Sequence, residues 1–271
     1  MNQAAVSHSI PARFAAAAQT YHEESVLQRA VAEELADSML PRDGIDSILE
    51  IGCGTGFLTE LLRGRFPYAH IDAVDIARPM IDLARARIGE CGRVRWHAAD
   101  ARHFRLDRDF PLIVSSSALH WMAPLSGTVK RLAGMLRPGG CFASALMTEG
   151  TLGELHAARE DLFPDKTAPV CLPSAEEFLG AIAEAGLRIL GSRQQVVREH
   201  YDSAHAFFLS LNRQGVTGAA NSGRKLLNRT ELRKLIGYYD RKFAAPSGGV
   251  LATYRILYIT AKRPPAQAQR A

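Results

Sequence analysis

Three glycines stand at alternate positions in the segment Glu50-Ile51-Gly52-Cys53-Gly54-Thr55-Gly56, directly after a short apolar run. A backbone without Cβ atoms can lie against a ligand, and a loop of this kind that opens a helix offers unpaired N–H groups to it. The chemistry this permits is the binding of a nucleotide-like molecule. The dinucleotide fingerprint requires a further glycine three positions after the second. Phe57 stands there, so nicotinamide and flavin cofactors fit less well. Asp75 and Asp100 end two later apolar runs, and Ser116 and Ser117 follow a third. Polar groups at strand ends stand where ligands of a parallel sheet lie.

Those residues need strands to carry them. Ser47 to Ile51, Ile71 to Val74, Val94 to His97 and Pro111 to Ser115 are short apolar runs. Helical spacing recurs at Val26 to Met39, Phe57 to Leu62, Pro79 to Ile88 and Leu125 to Leu136. Arg137-Pro138-Gly139-Gly140 is expected to stop the last of these helices, with Cys141 to Leu146 as a fifth strand. Alternating strands and helices imply a parallel sheet covered on both faces, with ligands beyond the carboxyl ends of its strands. After Met147 the order changes. Leu152 to Phe163 reads as a helix, Ser174 to Ala185 as a helix capped by Ser174 and Glu177, and Leu187 to Val197 as a strand. Asp202 to Tyr239 is mostly helical and Ala252 to Ala261 is a last strand. The expected fold is α/β: a doubly wound, mostly parallel seven-stranded sheet with an inserted helical cap. Its parts are a helical segment over residues 1–44 that covers the site and an α/β core over 45–147. A cap with the sixth strand over 148–250, a final strand over 251–262 and a fraying tail over 263–271 complete it.

The whole chain has 271 residues, enough to bury one core plus a cap without disulfides or metal. Hydrophobic residues are 47% and charged residues 23%, which excludes wholesale disorder. No apolar run reaches the roughly 20 residues of a bilayer span. Met1 to Arg13 lacks the apolar core of a secretory signal, so a cytoplasmic location is expected. Cys53, Cys91, Cys141 and Cys171 show neither paired spacing nor Cys/His ligand spacing. They read as reduced thiols, and no metal site is expected. The net charge of +5 suggests an acidic partner. Between Arg213 and Lys242, the cations Arg213, Arg224, Lys225, Arg229, Arg233, Lys234, Arg241 and Lys242 face only Glu231 and Asp240. Segment 213–242 contains no recognisable nucleic-acid module.

The glycine loop resembles motif one of class I S-adenosylmethionine-dependent methyltransferases. The resemblance implies that Glu50 helps hold the methionyl amino end, while Gly52, Cys53, Gly54 and Gly56 line the cofactor's path. Asp75, with Ile76 beside it, is similar to the acidic residue that accepts from both ribose hydroxyls. Asp100 with Ala101 stands where the family meets adenine, and Ser116 with Ser117 beside the methionyl portion.

Across nearly the whole chain the sequence is similar to the malonyl-acyl-carrier-protein O-methyltransferases, which mask a malonyl carboxyl group to begin biotin synthesis. The matching pieces are Arg13-Phe14, Tyr21, Leu27-Gln28-Arg29, Ser117-Ala118-Leu119-His120-Trp121 and Gly150-Thr151-Leu152-Gly153-Glu154-Leu155. Further matches are Ser210 to Thr217, Leu227 to Leu232 and Thr253-Tyr254. His120 stands where the family commonly has glutamine, and Val170-Cys171-Leu172-Pro173 lacks the usual Asn-Arg-Phe before Leu-Pro.

The resemblance implies S-adenosylmethionine as cofactor, S-adenosylhomocysteine as product and an acidic acyl-carrier protein docking on 213–242, with no nucleic acid or membrane partner. A monomer is expected. A malonyl carboxylate, with a pKa of about 4, is ionised at neutral pH and needs no general base. An arginine should hold it, and Arg13, Arg159 and Arg213 are the candidates. Tyr21 is assigned to cover the methyl site, and His120 and Trp121 to shape the acceptor pocket. Two other readings stay open: a methyltransferase for a free acid of the trans-aconitate kind, and a non-catalytic module that holds a carrier.

Overall fold

A computed structural model describes residues 3–89, 92–166, 172–216 and 227–265, with side chains from Ala12 onward. Cys91, Val170-Cys171, Thr217, Arg224, Lys225 and the tail beyond residue 265 lie outside the described residues.

The chain begins with two helices, α1 (Gln3–Glu24) and α2 (Val26–Ser38). Strand and helix then alternate: β1 (Ser47–Ile51), α3 (Phe57–Arg65), β2 (His70–Asp75), α4 (Arg78–Ile88), β3 (Val94–Ala98), β4 (Phe110–Ser116), α5 (Leu125–Gly134) and β5 (Leu136–Met147). The later elements are α6 (Gly153–Leu162), α7 (Ala175–Glu184), β6 (Arg188–Tyr201), α8 (Ala204–Arg213), α9 (Arg229–Lys242) and β7 (Val250–Lys262). The seven strands form one sheet in the order β3-β2-β1-β4-β5-β7-β6. The first five are parallel, and β7 runs antiparallel to both β5 and β6. Chain order reverses between β1 and β4, which opens a crevice at the carboxyl ends of those strands.

The inner strands β1, β2, β4 and β5 are apolar on both faces because helices cover both, whereas the edge strands β3 and β6 are largely half-buried or exposed. Ile48, Ile71, Leu112 and Tyr258 pack with Leu35 of α2, Leu62 of α3, Phe207 of α8 and Tyr239 of α9. Their neighbours Leu49, Ile113 and Ile259 point the other way, onto Val129 and Leu132 of α5 and Phe178 and Ile182 of α7. Truncating any of these leucines to alanine should cost about 2–5 kcal/mol.

The fifth strand departs from expectation. Helix α5 ends at Gly134, and β5 starts at Leu136, upstream of Pro138-Gly139-Gly140. Leu136 pairs with Phe110, and after an irregularity pairing resumes at Cys141 opposite Leu112. Tertiary pairing overrides the local stop signal, and the glycine turn is tied instead to Arg263, whose N–H donates to the Gly140 carbonyl at 2.9 Å. Strand β6 also runs past Val197 to Tyr201, because its whole length pairs with β7. The cap predicted at Ser174 forms in full: its hydroxyl accepts from the Glu177 N–H at 3.0 Å, and the Glu177 carboxylate accepts from the Ser174 N–H at 2.7 Å.

Helix α1 lies across α4 and against α8. Ala18 and Tyr21 of α1 pack with Ala77 and Met80. Thr20 donates its hydroxyl to the Arg213 carbonyl at 2.6 Å, Arg213 pairs with Glu24 at 2.8 Å, and Gln214 donates to the Glu24 carbonyl. Among the described residues, no helix is long and apolar enough to cross a membrane.

Candidate active site

Where the strand order reverses, the carboxyl ends of β1, β2 and β4 surround a cavity of about 760 Å³, counting its open mouth. Ligand sites of small molecules fall in this range. The glycine loop forms its floor. Gly52 takes a φ of +72°, and a Cβ there would sit 2.1 Å from the Ala118 Cβ. Gly54 takes a φ of +52° with nothing near the place of a Cβ, so its bare backbone faces open space at the cavity wall. The Gly52 and Cys53 N–H groups both donate to the Val74 carbonyl, which locks the loop onto the end of β2.

Asp75 closes β2 and holds the loop from the side. One of its carboxylate oxygens accepts from the Gly54 N–H and the other from the Ala77 N–H, each at 2.8 Å. Burial raises its pKa, while these backbone donors pull the other way. Each oxygen keeps a lone pair for a further donor.

Beyond β3, Asp100, Ala101 and Arg102 form the next part of the wall. The Arg102 fork grips the Asp100 carboxylate, with Nη2 at 2.6 Å and Nε at 3.0 Å from both oxygens. This pairing holds Asp100 below the usual carboxylate pKa. The Ala101 N–H makes no hydrogen bond with any described residue. An anionic acceptor beside an open donor matches the edge of an aminopurine, which offers an amine next to a ring nitrogen.

Ser116 and Ser117 line the cavity at the end of β4, and both hydroxyl oxygens are buried with no partner. Ser117 also holds a φ of +55°, unusual for a residue with a side chain. Unpaired buried hydroxyls call for a polar ligand. Glycine cradle, acidic strand end, the Asp100–Ala101 edge and orphan hydroxyls are the groups a nucleoside cofactor such as S-adenosylmethionine would need.

Phe14 and Tyr21 of α1 and Trp121 roof the cavity. The Phe14 ring stands edge-on to Tyr21 at 6.0 Å and to Trp121 at 5.9 Å. Tyr21 is pushed up to about 12, mainly by burial, so its hydroxyl stays protonated. Val74, Met80, Ala118 and Met122 add apolar wall.

Gly52, Gly54, Asp75, Ile76, Asp100, Ala101, Ser116, Ser117, Tyr21 and Trp121 thus meet at one cavity. Glu50, Cys53 and Gly56 do not line the cavity. Glu50 is buried and accepts the Thr59 hydroxyl at 2.7 Å, and burial raises it to about 8. The Cys53 thiol is pushed up by burial. Gly56 is packed against Ile88 as α3 begins. His120 lies behind Trp121, its rings tilted at 4.9 Å; its Nδ1 accepts the Met147 N–H at 3.4 Å, and burial lowers it to about 3, leaving it neutral. Arg13 precedes Phe14 without lining the cavity itself. Arg159 is half-buried on α6 and Arg213 is paired with Glu24, and neither lines the cavity. Arg102, Phe14 and Met122 are wall residues that sequence reasoning did not assign. Arg102 adjoins the predicted contact Ala101, and only the turn of the loop brings it back onto Asp100.

Residues 48–140 match the family described as a methyltransferase domain. The malonyl-[acyl-carrier protein] O-methyltransferase of Priestia megaterium is 30% identical over 90% of this chain and 93% of its own. The chain belongs to the malonyl-[acyl-carrier protein] O-methyltransferase family. Another relative of this family member is the biotin biosynthesis bifunctional protein BioCD of Bordetella avium, 34% identical over 94% of this chain and 52% of its own. The fold is shared with a geranyl diphosphate methyltransferase solved in complex with SAM, at a TM-score of 0.54, 16% identity, and coverage of 87% of this chain and 85% of that one.

Proposed function

We propose that the chain transfers a methyl group from S-adenosylmethionine to the free carboxylate of a malonyl thioester, borne by an acyl-carrier protein or coenzyme A, as the opening step of pimeloyl and biotin synthesis. The observation that carries this reading is the likeness, over nine-tenths of both chains, to a relative named for that substrate. The cavity supports it.

When bound, S-adenosylmethionine supplies a methyl group on a positively charged sulfur, already open to attack. The acceptor carboxylate is ionised at neutral pH, so this chain has no proton to remove from it. Burial lowers His120 to about 3, which makes it too weak a base for such a task, and Tyr21 stays protonated. What remains is alignment and exclusion of water, a task worth up to roughly 7–11 kcal/mol. Phe14, Tyr21 and Trp121 supply the dry roof, and Asp75 and the glycine loop hold the nucleoside end.

For the malonyl carboxylate, Arg159 has the best support of the three arginines. Its half-buried guanidinium donates to the Lys166 carbonyl at 3.1 Å and has no ion-pair partner among the described residues. Partial burial lowers its pKa, and a partly buried cation without a counter-ion gains from an anionic ligand. Arg213 is engaged with Glu24.

The docking surface narrows in the same way. Arg213 and Lys242 are paired with Glu24 and Asp161, and Glu231 is taken by Lys166. Arg229, Arg233 and Arg241 remain exposed on α9 and are assigned to the acidic carrier.

The test is transfer of labelled methyl from S-adenosylmethionine to malonyl carrier protein, with succinyl and acetyl carriers, free malonate and trans-aconitate alongside. Label on the malonyl thioester alone is expected. Label on a free acid instead, or tight cofactor binding without transfer to any acceptor, refutes the proposal.

A further inference from the structure

The segment 99–109 joins β3 to β4 without regular structure, yet it carries the whole purine-facing edge: the Asp100 carboxylate, the Ala101 N–H and Arg102. Internally it has one turn, in which the His103 and Phe104 N–H groups both donate to the Asp100 carbonyl at 2.9 Å. That turn and the Arg102 grip on Asp100 tie the segment to itself, not to the rest of the fold, so its position over the cavity needs external bracing.

The brace is Arg131 of α5. Its Nε donates to the Arg102 carbonyl at 2.8 Å, its Nη1 to the Phe104 carbonyl at 2.7 Å, and its Nη2 to the Ala101 carbonyl. One planar fork thus fixes three carbonyls of one turn, a task that suits a guanidinium and that no single-point ammonium can match. The side chain is partly buried, and burial lowers its pKa while the Asp100 charge raises it. Arg131 is not part of the cavity wall.

The far end of the segment is secured separately. Asp72, buried in the middle of β2, accepts from Arg108 and from the His97 Nε2 at 2.8 Å, and the His97 ring packs on Phe104 at 5.0 Å. This second anchor holds residues 104–108. It does not reach the carbonyls of Ala101 and Arg102, which among the described residues only Arg131 ties down.

We infer that Arg131 is a positioning residue that sets the selectivity for adenine: by fixing the carbonyls of Ala101, Arg102 and Phe104, it holds the Asp100 carboxylate and the Ala101 N–H at the spacing of an aminopurine edge. The inference rests on the reading of Asp100 and Ala101 as the base-contacting edge.

The test compares binding of S-adenosylhomocysteine with S-inosylhomocysteine, which carries an oxygen in place of the adenine amine, to the full chain and to the variants Arg131→Met and Arg131→Lys. The native protein is expected to prefer the adenine ligand by roughly tenfold or more, the scale of one hydrogen bond to a charged acceptor. Arg131→Met should weaken the adenine ligand by roughly that factor and leave the inosine ligand within about threefold, so the preference collapses. Arg131→Lys keeps the charge but loses the fork; it should show the same collapse, and it decides the question if the methionine variant does not fold. General loosening of the fold would weaken both ligands alike and leave their ratio unchanged. A native preference that survives in the folded variants overturns the role of Arg131 and leaves the base-contact reading standing. Absence of any preference in the native protein overturns the base-contact reading, and this inference with it.

Discussion

Replacing Asp75 with asparagine is the sharpest probe of the cavity. The two carboxylate oxygens each accept one backbone N–H at 2.8 Å, from Gly54 and from Ala77. In asparagine one of those oxygens becomes an amide nitrogen, so one donor would face another donor and that bond is lost. The charge that would strengthen bonds to ribose hydroxyls goes with it. A hydrogen bond to a charged group is worth about 1.5–3 kcal/mol, so losing one on the ligand side alone weakens binding by roughly 10- to 150-fold. The bond lost to the loop adds to this when it frees Gly54. The shape of the side chain is preserved, and relief of a buried charge partly offsets the cost to the fold. Isothermal titration with S-adenosylhomocysteine measures the effect, and circular dichroism checks that the variant folds. An affinity within about threefold of the native protein would refute the assignment of Asp75 to the nucleoside.

Further outcomes follow from the same geometry. Glu50 is raised to about 8 by burial, whereas an unfolded glutamate titrates near 4.3. Between those pH values the folded chain holds a proton that the unfolded chain has released, so this group lowers stability progressively as pH rises through that window. Glu50→Gln should therefore melt higher than the native protein at pH 8 and converge with it near pH 4.5; parallel pH profiles of the melting temperature would contradict the burial argument. Tyr21→Phe keeps the roof and should leave kcat/KM within about threefold, whereas Tyr21→Ala opens the cavity to water and should lower it by roughly 100-fold or more. Steady-state kinetics separates the two, and a large loss in the phenylalanine variant would mean that the hydroxyl is used. Arg229→Glu with Arg233→Glu reverses exposed charge on α9; KM for malonyl carrier protein should rise roughly tenfold at low salt while S-adenosylhomocysteine affinity holds. An unchanged KM would move the docking surface elsewhere.

The inner part of the sheet was legible because β1, β2 and β4 are apolar on both faces and give way to Gly52, Asp75 and Ser116 at their ends. Asp75 and Asp100 could be placed at the cavity from that pattern alone, since strand ends in a parallel sheet share one edge. The start of β5 was not legible: Pro138-Gly139-Gly140 is a strong local stop, and only pairing of Leu136 with Phe110 carries the strand across it. The roof was partly legible, with Tyr21 and Trp121 singled out from their resemblance. Nothing in the spacing tells that Phe14 meets both rings, or that His120 turns away toward the Met147 N–H. The arginines were the least legible. A guanidinium reaches far from its own Cα, so sequence position does not reveal that Arg213 spends its charge on Glu24 or that Arg131 spans three carbonyls.

Because α1 supplies Phe14 and Tyr21, the boundaries of the sheet are not the boundaries of the enzyme's working part. A shortened chain begun at Val26 would retain every strand, the packing of α2 on the sheet, the glycine turn and Asp75. It would nonetheless hold its ligand in an unlidded trough, open to bulk water, and the Thr20 and Glu24 fastenings to the end of α8 would be gone as well.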